Sequence, residues 1–488
     1  MRRSLVILGS LTLFFATFMN LFSFCEEEVE LSISDCLSMA LAGNLDIKIA
    51  KIDPLLKEGD IEIARSIYDA IIDGKLAYQD DQRTSANTIV GTKSIDVDYE
   101  LGITTELPLT GTTIEIDYSN YRDWTDSAFA TNNPLHTGEL SLTLTQPVLN
   151  NFFGYVDKGS VKLSKIEAEL AGLDTLDRIE NTIADTEKAY WRLVAARKKL
   201  ALRGELLEQA KVLYEIFEKH LKTGVAESTE LYEVEANMRI RKTEFMTALN
   251  EHKTAGNNLK LYINETGEYT ISPVDGFRLI GQKADLGGSL KDALSANREF
   301  KMKKRSLEGK KLTLKMKENS MWPEVDLVGT LAVNGVDRKF EKANKRLFTN
   351  KHGTYYGGIE FSVPLENRLA RGELDKAQLE KEKAILELVK TEKELITDID
   401  EKVRAVNLGL ENSTRWARIR QIQYKKFKDE EKKLKYGRSN SKRIVDYQND
   451  LNSAAIREYD AILDYYDALI DLENAKDMLL SRTGVIEK

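Results

Sequence analysis

Hydrophobic and polar positions alternate along this chain in two distinct rhythms. From Gly159 to Ile263 the apolar positions keep helical spacing: Leu207, Ala210, Tyr214, Phe217 and Leu221 step by three and four, with Glu and Lys on the positions between. Ile396, Ile399, Val403, Val406 and Leu410 repeat the pattern further on. These are the a/d seams of long coiled-coil-like helices, two in each half of the chain, reversing at Gly224 and Gly437. Roughly 60 residues at 1.5 Å of rise make the first arm about 90 Å long, which predicts an elongated molecule.

The other rhythm has period two. Val97, Tyr99, Leu101 and Ile103 alternate with Asp98, Glu100, Gly102 and Thr104; Leu140, Leu142 and Leu144 alternate with Ser141, Thr143 and Thr145. Ile114 and Ile116, then Val325, Leu327, Leu331 and Val333, then Ile359, Phe361 and Val363 behave alike. Each segment is about ten residues, the length that a tilted transmembrane strand needs, and one apolar face against one polar face is the pattern of an outer-membrane barrel. Pro108, Pro147, Pro323 and Pro364 fall at strand ends, where a missing N–H is tolerated. A soluble sheet packed on helices would show the same alternation and is commoner, so the rest of the chain has to decide.

The rhythms occur twice. Ser38 to Lys51, around Asn44, lies over Ala293 to Lys304, around Asn297, at a shift of 253 residues. Gln146-Pro147 to Asn150 matches Val363-Pro364 to Asn367 at 217, and Lys222-Thr-Gly224 matches Lys435-Tyr-Gly437 at 213. A repeat of this kind means a duplicated architecture. The fall from 253 to 217 places 36 extra residues in the strand region of the first half. Most of them run from Val97 to Tyr121, a hairpin turning at Leu109-Thr110-Gly111.

Composition sets the address. Arg2 and Arg3 precede an apolar run from Leu5 to Phe24, with Ser23 and Cys25 before Glu26-Glu27-Glu28, as in a secretory signal peptide. An anchor helix is disfavoured because no comparable stretch of about 20 apolar residues follows. A lipid on Cys25, with Leu21 four residues before it, is the minority alternative, since Phe24 is bulky. Loss of residues 1–25 leaves 69 basic against 79 acidic residues, so bulk charge does not attract nucleic acid. Cys36 then stands alone on an apolar helix face, as a small core residue. Export, the missing membrane helix and the long helices together favour the barrel over the soluble sheet. Only closed barrels satisfy the backbone inside lipid, and eight strands is about the smallest useful ring, so several copies must share one.

With those residues in place, the chain resembles the TolC family of outer-membrane efflux proteins over essentially the whole mature sequence. Its most specific element is Val363-Pro364-Leu365-Glu366-Asn367-Arg368-Leu369-Ala370-Arg371-Gly372, similar to that family's strand-to-helix passage, with Pro147 as its first-half counterpart. Leu290 to Leu294, Ser34 to Leu37 and the Tyr190-Trp191 pair add to the likeness. The resemblance implies an α+β membrane protein: a trimeric outer-membrane β-barrel shared by the protomers and continued by a long periplasmic α-helical barrel. It also implies the exit duct of a tripartite efflux pump or a type I secretion system, partnered by a periplasmic adaptor and an inner-membrane transporter of the RND or ABC type. Localisation follows as outer membrane reaching into the periplasm, with outer-membrane lipid around the barrel. The family offers two strands per half and a ring of twelve; the extra hairpin either enlarges that ring or lies outside it.

The chain then divides into a signal peptide (1–25), a first-half helix and equatorial segment (26–71), first-half barrel strands with the extra hairpin near 97–121 (72–147), and a first long helical hairpin (148–263). An equatorial linker opening the second half (264–323), second-half strands (324–364), a second long helical hairpin (365–481) and a short tail (482–488) follow. By resemblance, the periplasmic gate falls at Asp446, with Asn449 where a second aspartate is usual, Asp450 as its substitute, and Lys442 and Arg443 as basic partners. The Gly224 and Gly437 turns become the adaptor contacts. Independently of any family, three carboxylates gathered on a threefold axis attract cations and slow anions, although Asp446 and Asp450 also read as ordinary acids on a charged helix. The loops Arg83 to Ser94, Arg122 to Thr137 and Asp337 to His352 face outward. The third is basic, through Arg338, Lys339, Lys342, Lys345, Arg346 and Lys351, either touching anionic surface glycans or simply solvated. Tyr118, Tyr121 and Trp124 form an aromatic girdle or stack across strands.

Catalytic chemistry finds no footing. His136, His220, His252 and His352 are not spaced as metal pairs, and no phosphate loop, nucleophile elbow or HExxH string occurs. No cofactor is expected. Two other roles compete with the duct: an exported coiled-coil structural protein or adhesin with a soluble β cap, and a periplasmic adaptor. The adaptor is disfavoured because no compact lipoyl-like segment fits between Gly204 and Ser228.

Overall fold

The computed structural model describes residues 27–83, 89, 91–224, 227–349, 353–436 and 438–482. The expected signal peptide with Cys25, the Gly437 turn, and Lys351 and His352 lie outside the described residues. In chain order the elements are β1 (Glu27–Leu31), α1 (Ile33–Gly43), α2 (Leu45–Ala50), α3 (Ile52–Arg65), β2 (Ile71–Asp81), β3 (Ser94–Glu106), β4 (Thr113–Thr125) and β5 (Leu135–Pro147). There follow α4 (Tyr155–Lys222), α5 (Ser228–Ile263), β6 (Tyr269–Pro273), α6 (Leu286–Ala296), α7 (Arg298–Asn319), β7 (Glu324–Asp337), α8 (Phe340–Thr349) and β8 (Gly353–Ser362). The chain closes with α9 (Arg368–Lys435), α10 (Ser441–Ala475) and α11 (Leu479–Arg482). Two compact units result.

The first unit comprises residues 27–50, 176–297 and 394–482. α1 begins with a capping box in which Ser32 and Asp35 satisfy each other's backbone N–H. β1 and β6 pair in parallel. The core gathers Tyr190, Trp191 and Leu193 of α4, Leu259 of α5, and Ile462 and Tyr466 of α10. Asp275 ties its centre, accepting from Ile33 N (2.8 Å) and from the Tyr190 hydroxyl (2.6 Å). Cys36 is fully buried, and desolvation, with Asp35 nearby, pushes its thiol up to about 12. The coiled-coil seam of α4 runs through Leu206, Ala210, Leu213 and Phe217, and that of α9 through Leu395, Ile399, Val403 and Val406, one position from the sequence assignment at Leu207, Tyr214 and Ile396.

The duplication is visible in single hydrogen bonds. Asn44 follows α1 and donates to Tyr262 O (2.8 Å) near the end of α5; Asn297 follows α6 and donates to Ala475 O (3.2 Å) at the end of α10. Both asparagines have extended ψ, 132° and 123°, at the break between two helices. α4 and α9 each span 68 residues and begin at equivalent positions, as do α5 and α10.

The second unit, residues 51–175 and 298–393, is built on a six-stranded antiparallel sheet in the order β2-β3-β4-β5-β7-β8. The first half supplies four strands and the second two. The extra hairpin, β3-β4, lies inside the sheet between β2 and β5. Its turn is tied down, because Lys158 donates to Leu109 O (2.8 Å) and Thr112 to Gln146 Oε1 (2.6 Å). Gly111, at φ +63°, closes that turn against Gly154, where any Cβ would strike backbone at 2.4 Å. Ion pairs between helices include Lys310–Glu380 (2.9 Å), Lys317–Glu373 (2.7 Å) and Arg305–Glu169 (2.7 Å).

Two outward segments differ from their sequence assignment. Of the loop expected at Arg122 to Thr137, residues 122–125 continue β4 and 135–137 open β5, because cross-strand pairing extends past the apolar alternation. Asp337 to His352, read as a solvated loop, contains α8, whose Ala343 and Leu347 are buried. Phe340, Ala343 and Leu347 stand at i, i+3 and i+7, a helical spacing that the basic composition of the stretch masked in the sequence reading.

Candidate functional site

The register of the sheet sorts every side chain onto one of two faces. One continuous row is Gly74, Leu101, Tyr118, Leu140, Val333 and Gly353; the next is Ile72, Ile103, Ile116, Leu142, Leu331 and Tyr355. On this face the described strands carry only Asp80, Arg122 and Asp337 as charged residues. Much of it is uncovered in the protomer, with Leu76 74%, Tyr355 82% and Phe361 77% exposed. Exposed apolar area on this scale marks an interaction surface.

The opposite face is acidic. Its rows include Asp73, Gly102, Asp117, Ser141, Ala332 and Thr354, and Lys75, Glu100, Ser119, Glu139 and Asn334. Thirteen carboxylates stand on it against one basic residue, Lys75, which is already engaged by Glu100 (2.9 Å) and Asp98 (3.8 Å). Such a face cannot meet hydrocarbon and has to be bathed in water.

The second candidate region is the turn end of the long helices, within the first unit. Gly224 sits just beyond α4 with φ +71°, and α5 opens with a Glu227/Glu230 capping box. α10 is capped by Asn440, which accepts from Arg443 N (3.1 Å). A small apolar cluster of Leu213, Phe217, Val234, Phe427, Ile444 and Val445 lies there. Beyond it the α5–α10 seam turns polar, with Asn237, Arg241, Gln448 and Asn452 all buried and several of their polar atoms lacking partners. A seam of this composition is held less firmly than an apolar one.

The predicted gate residues separate into two groups here. All five are exposed in the protomer and differ in their partners; among the described residues no ion pair engages Asp446. Arg443, Asn449 and Asp450 brace α10. Asn449 accepts from Arg241, which also reaches Glu244 (2.7 Å). Asp450 pairs with Lys426 of α9 (2.8 Å), whose ammonium lies 3.9 Å above the Tyr447 ring. Ser441 donates to Glu233 (2.9 Å). Arg443 approaches Glu430 (4.0 Å), a buried carboxylate held below its usual range by the Ser439 hydroxyl and by Lys433. Sequence reasoning missed Arg241, Glu430 and Lys426. Arg241 carried a usable signal, since it continues the spacing of Val234 and Asn237 and so places a charge on the seam.

The strand-to-helix residues fall in the second unit. Pro147 ends β5, Pro364 follows β8, Asn367 takes the left-handed conformation (φ +45°) that asparagine tolerates, and Arg368 begins α9. Among the described residues no group of His, Cys, Asp or Glu is placed to hold a metal ion, and no helix is long and apolar enough to cross a membrane.

A sheet with one apolar and one acidic face, joined in sequence to duplicated pairs of 68-residue and shorter helices, has the architecture of outer-membrane channels. CusC, described as forming a transmembrane channel, superposes with a TM-score of 0.70 at 13% identity, over 92% of this chain and 92% of that one. A membrane protein from Pseudomonas aeruginosa gives 0.70 at 14% identity over 91% and 93%. The MtrE outer membrane channel of Neisseria gonorrhoeae, in its open state, gives 0.68 at 14% over 91% and 88%. These likenesses establish the fold, which is the one the TolC-family resemblance implied. No protein-family model and no curated protein matches the chain.

Proposed function

We propose that the chain is one protomer of a trimeric outer-membrane channel-tunnel. It acts as the passive exit duct of a tripartite efflux pump or type I secretion system, without catalytic chemistry of its own. The observation that carries this reading is the two-faced sheet: an apolar side that needs lipid and an acidic side that needs water, which a soluble cap would not require. The duct fold supports a periplasmic adaptor and an inner-membrane transporter as partners, meeting the helical turns at Gly224 and Gly437. Energy enters through the transporter.

Among the described residues β2 and β8 end the sheet with unpaired edges. They run in opposite senses, so β8 of one copy extends antiparallel onto β2 of the next. Three six-stranded sheets then close a ring of eighteen. With strands about 4.8 Å apart and tilted about 40°, that ring is about 36 Å across, against about 24 Å for twelve. Its acidic wall favours cations over anions.

Detergent-extracted protein reconstituted in a planar bilayer tests the reading. The expected result is a trimer that conducts and whose reversal potential in a salt gradient has the sign of cation preference. A soluble monomer, or an anion-selective pore, overturns it.

We assign gating to the turn end, where Asp446 is exposed and α10 is braced by Arg241, Lys426 and Glu430. Arg241→Ala is expected to raise single-channel conductance severalfold by releasing α10 from α5, each lost charged hydrogen bond being worth about 1.5–3 kcal/mol. Asp446→Ala is expected to weaken cation preference in the closed state. Unchanged selectivity removes Asp446 from the gate, and unchanged conductance in the arginine variant removes the brace.

A further inference from the structure

We propose that α8 and the apolar groove beside it form a binding site for a phosphorylated acyl lipid at the outer rim of the sheet. This rests on the outer-membrane reading above. α8 lies on the apolar face of the sheet, not the acidic one. It enters a notch made by the cross-strand pair Gly138 and Gly335, where a Cβ on Gly335 would meet Ala343 O at 2.1 Å. Asn344 Oδ1 accepts from the Tyr118 hydroxyl (2.9 Å) and from Asn120 (3.2 Å), and the Phe340 ring packs on Tyr99 (5.9 Å). The helix is therefore fixed on the side that lipid must cover, at the end of the strands remote from Pro147 and α4.

Its one arginine and the arginine that precedes it are spent on holding it there. Arg346 pairs with Asp337 (3.0 Å), and Arg338, just before the helix, donates to Asn133 O (2.9 Å). Lys339, Lys342 and Lys345 remain exposed. An amphipathic helix with its apolar side docked and lysines outward is suited to the headgroup layer, where phosphate and ammonium meet.

Beside it a groove of about 370 Å³ is lined by Leu140, Leu331, Val333 and Tyr355, on the next two rows of the same face. Successive rows on one face are about 7 Å apart, so the groove begins where acyl chains follow a headgroup held by α8. A soluble glycan or free phosphate would use the lysines and leave the groove empty. The adjacency of charge and groove selects a lipid.

The test uses the detergent-extracted trimer, titrated in native mass spectrometry with phosphatidylglycerol or with phosphatidylcholine of identical chains, inorganic phosphate being a third arm. Wild type is expected to retain phosphatidylglycerol on the order of tenfold more strongly. The exposed double variant Lys342→Glu/Lys345→Glu should lose that preference while keeping trimer and conductance. A second variant, Val333→Trp, fills the groove and should weaken retention of both lipids, leaving phosphate unaffected. Equal retention of the two lipids by wild type, an unaltered preference in the double variant, or full competition by inorganic phosphate overturns the site. A trimer that conducts yet shows no preference sinks the lipid site alone; failure to insert into a bilayer sinks the duct and the site together.

Discussion

Leu142→Arg is expected to abolish recovery of membrane-inserted trimer, whereas Ser141→Arg, one residue earlier, should leave assembly intact and reduce cation preference. Leu142 lies in the apolar row with Ile116 and Leu331, and Ser141 lies in the acidic row opposite Asp117. An arginine near the middle of the lipid-facing wall costs about 2–4 kcal/mol, and a shared barrel incurs that cost once per protomer. The same residue at 141 enters water beside carboxylates and gains from them. Heat-stable trimer in the membrane fraction, measured on unboiled gels, separates the outcomes. Loss in both variants, or in neither, would mean that the two faces have been assigned wrongly.

The second large effect concerns the helical unit. Trp191, 9% exposed, stacks on Tyr466 with centroids 4.1 Å apart and planes 19° apart, and meets Tyr190 edge-on at 5.6 Å. Trp191→Ala removes the largest side chain of that core and leaves a cavity that rigid helices fill poorly, so a loss of about 3–5 kcal/mol is expected. Urea unfolding of the detergent-solubilised protein, followed by helical circular dichroism, should show the midpoint falling. Trp191→Phe retains a ring against Tyr466 and should recover part of the loss; equal midpoints for wild type and Trp191→Ala would remove the stack from the account of stability.

Most of the architecture was legible because its signals are local and periodic. Alternation from Val97 to Ile116 and from Leu140 to Leu144 is a property of each strand alone, and the drop in repeat offset located the added hairpin before any pairing was known. Its place inside the sheet was not legible, since that depends on which edges meet, a long-range matter that periodicity does not encode. α8 was missed although Phe340, Ala343 and Leu347 keep helical spacing, because the stretch is short and basic; what was not legible is its docking place, the Gly138–Gly335 notch contributed by strands about 200 residues apart. At the turn end, resemblance located Asp446, Asn449 and Asp450, but the partners bracing two of them, Arg241 and Lys426, belong to other helices, and sequence proximity gave no hint of the pairing.

The placement of β3-β4 between β2 and β5 has a consequence for how calibre can vary. An inserted hairpin enters as one ascending and one descending strand, so the direction of every older strand is preserved, and both flanking edges still find antiparallel neighbours. The calibre of the proposed ring can thus change in steps of two strands per subunit, while α4, α5, α9 and α10 keep the same two-copy plan. Under the proposed duct, barrel width and adaptor docking become separately adjustable traits of one polypeptide.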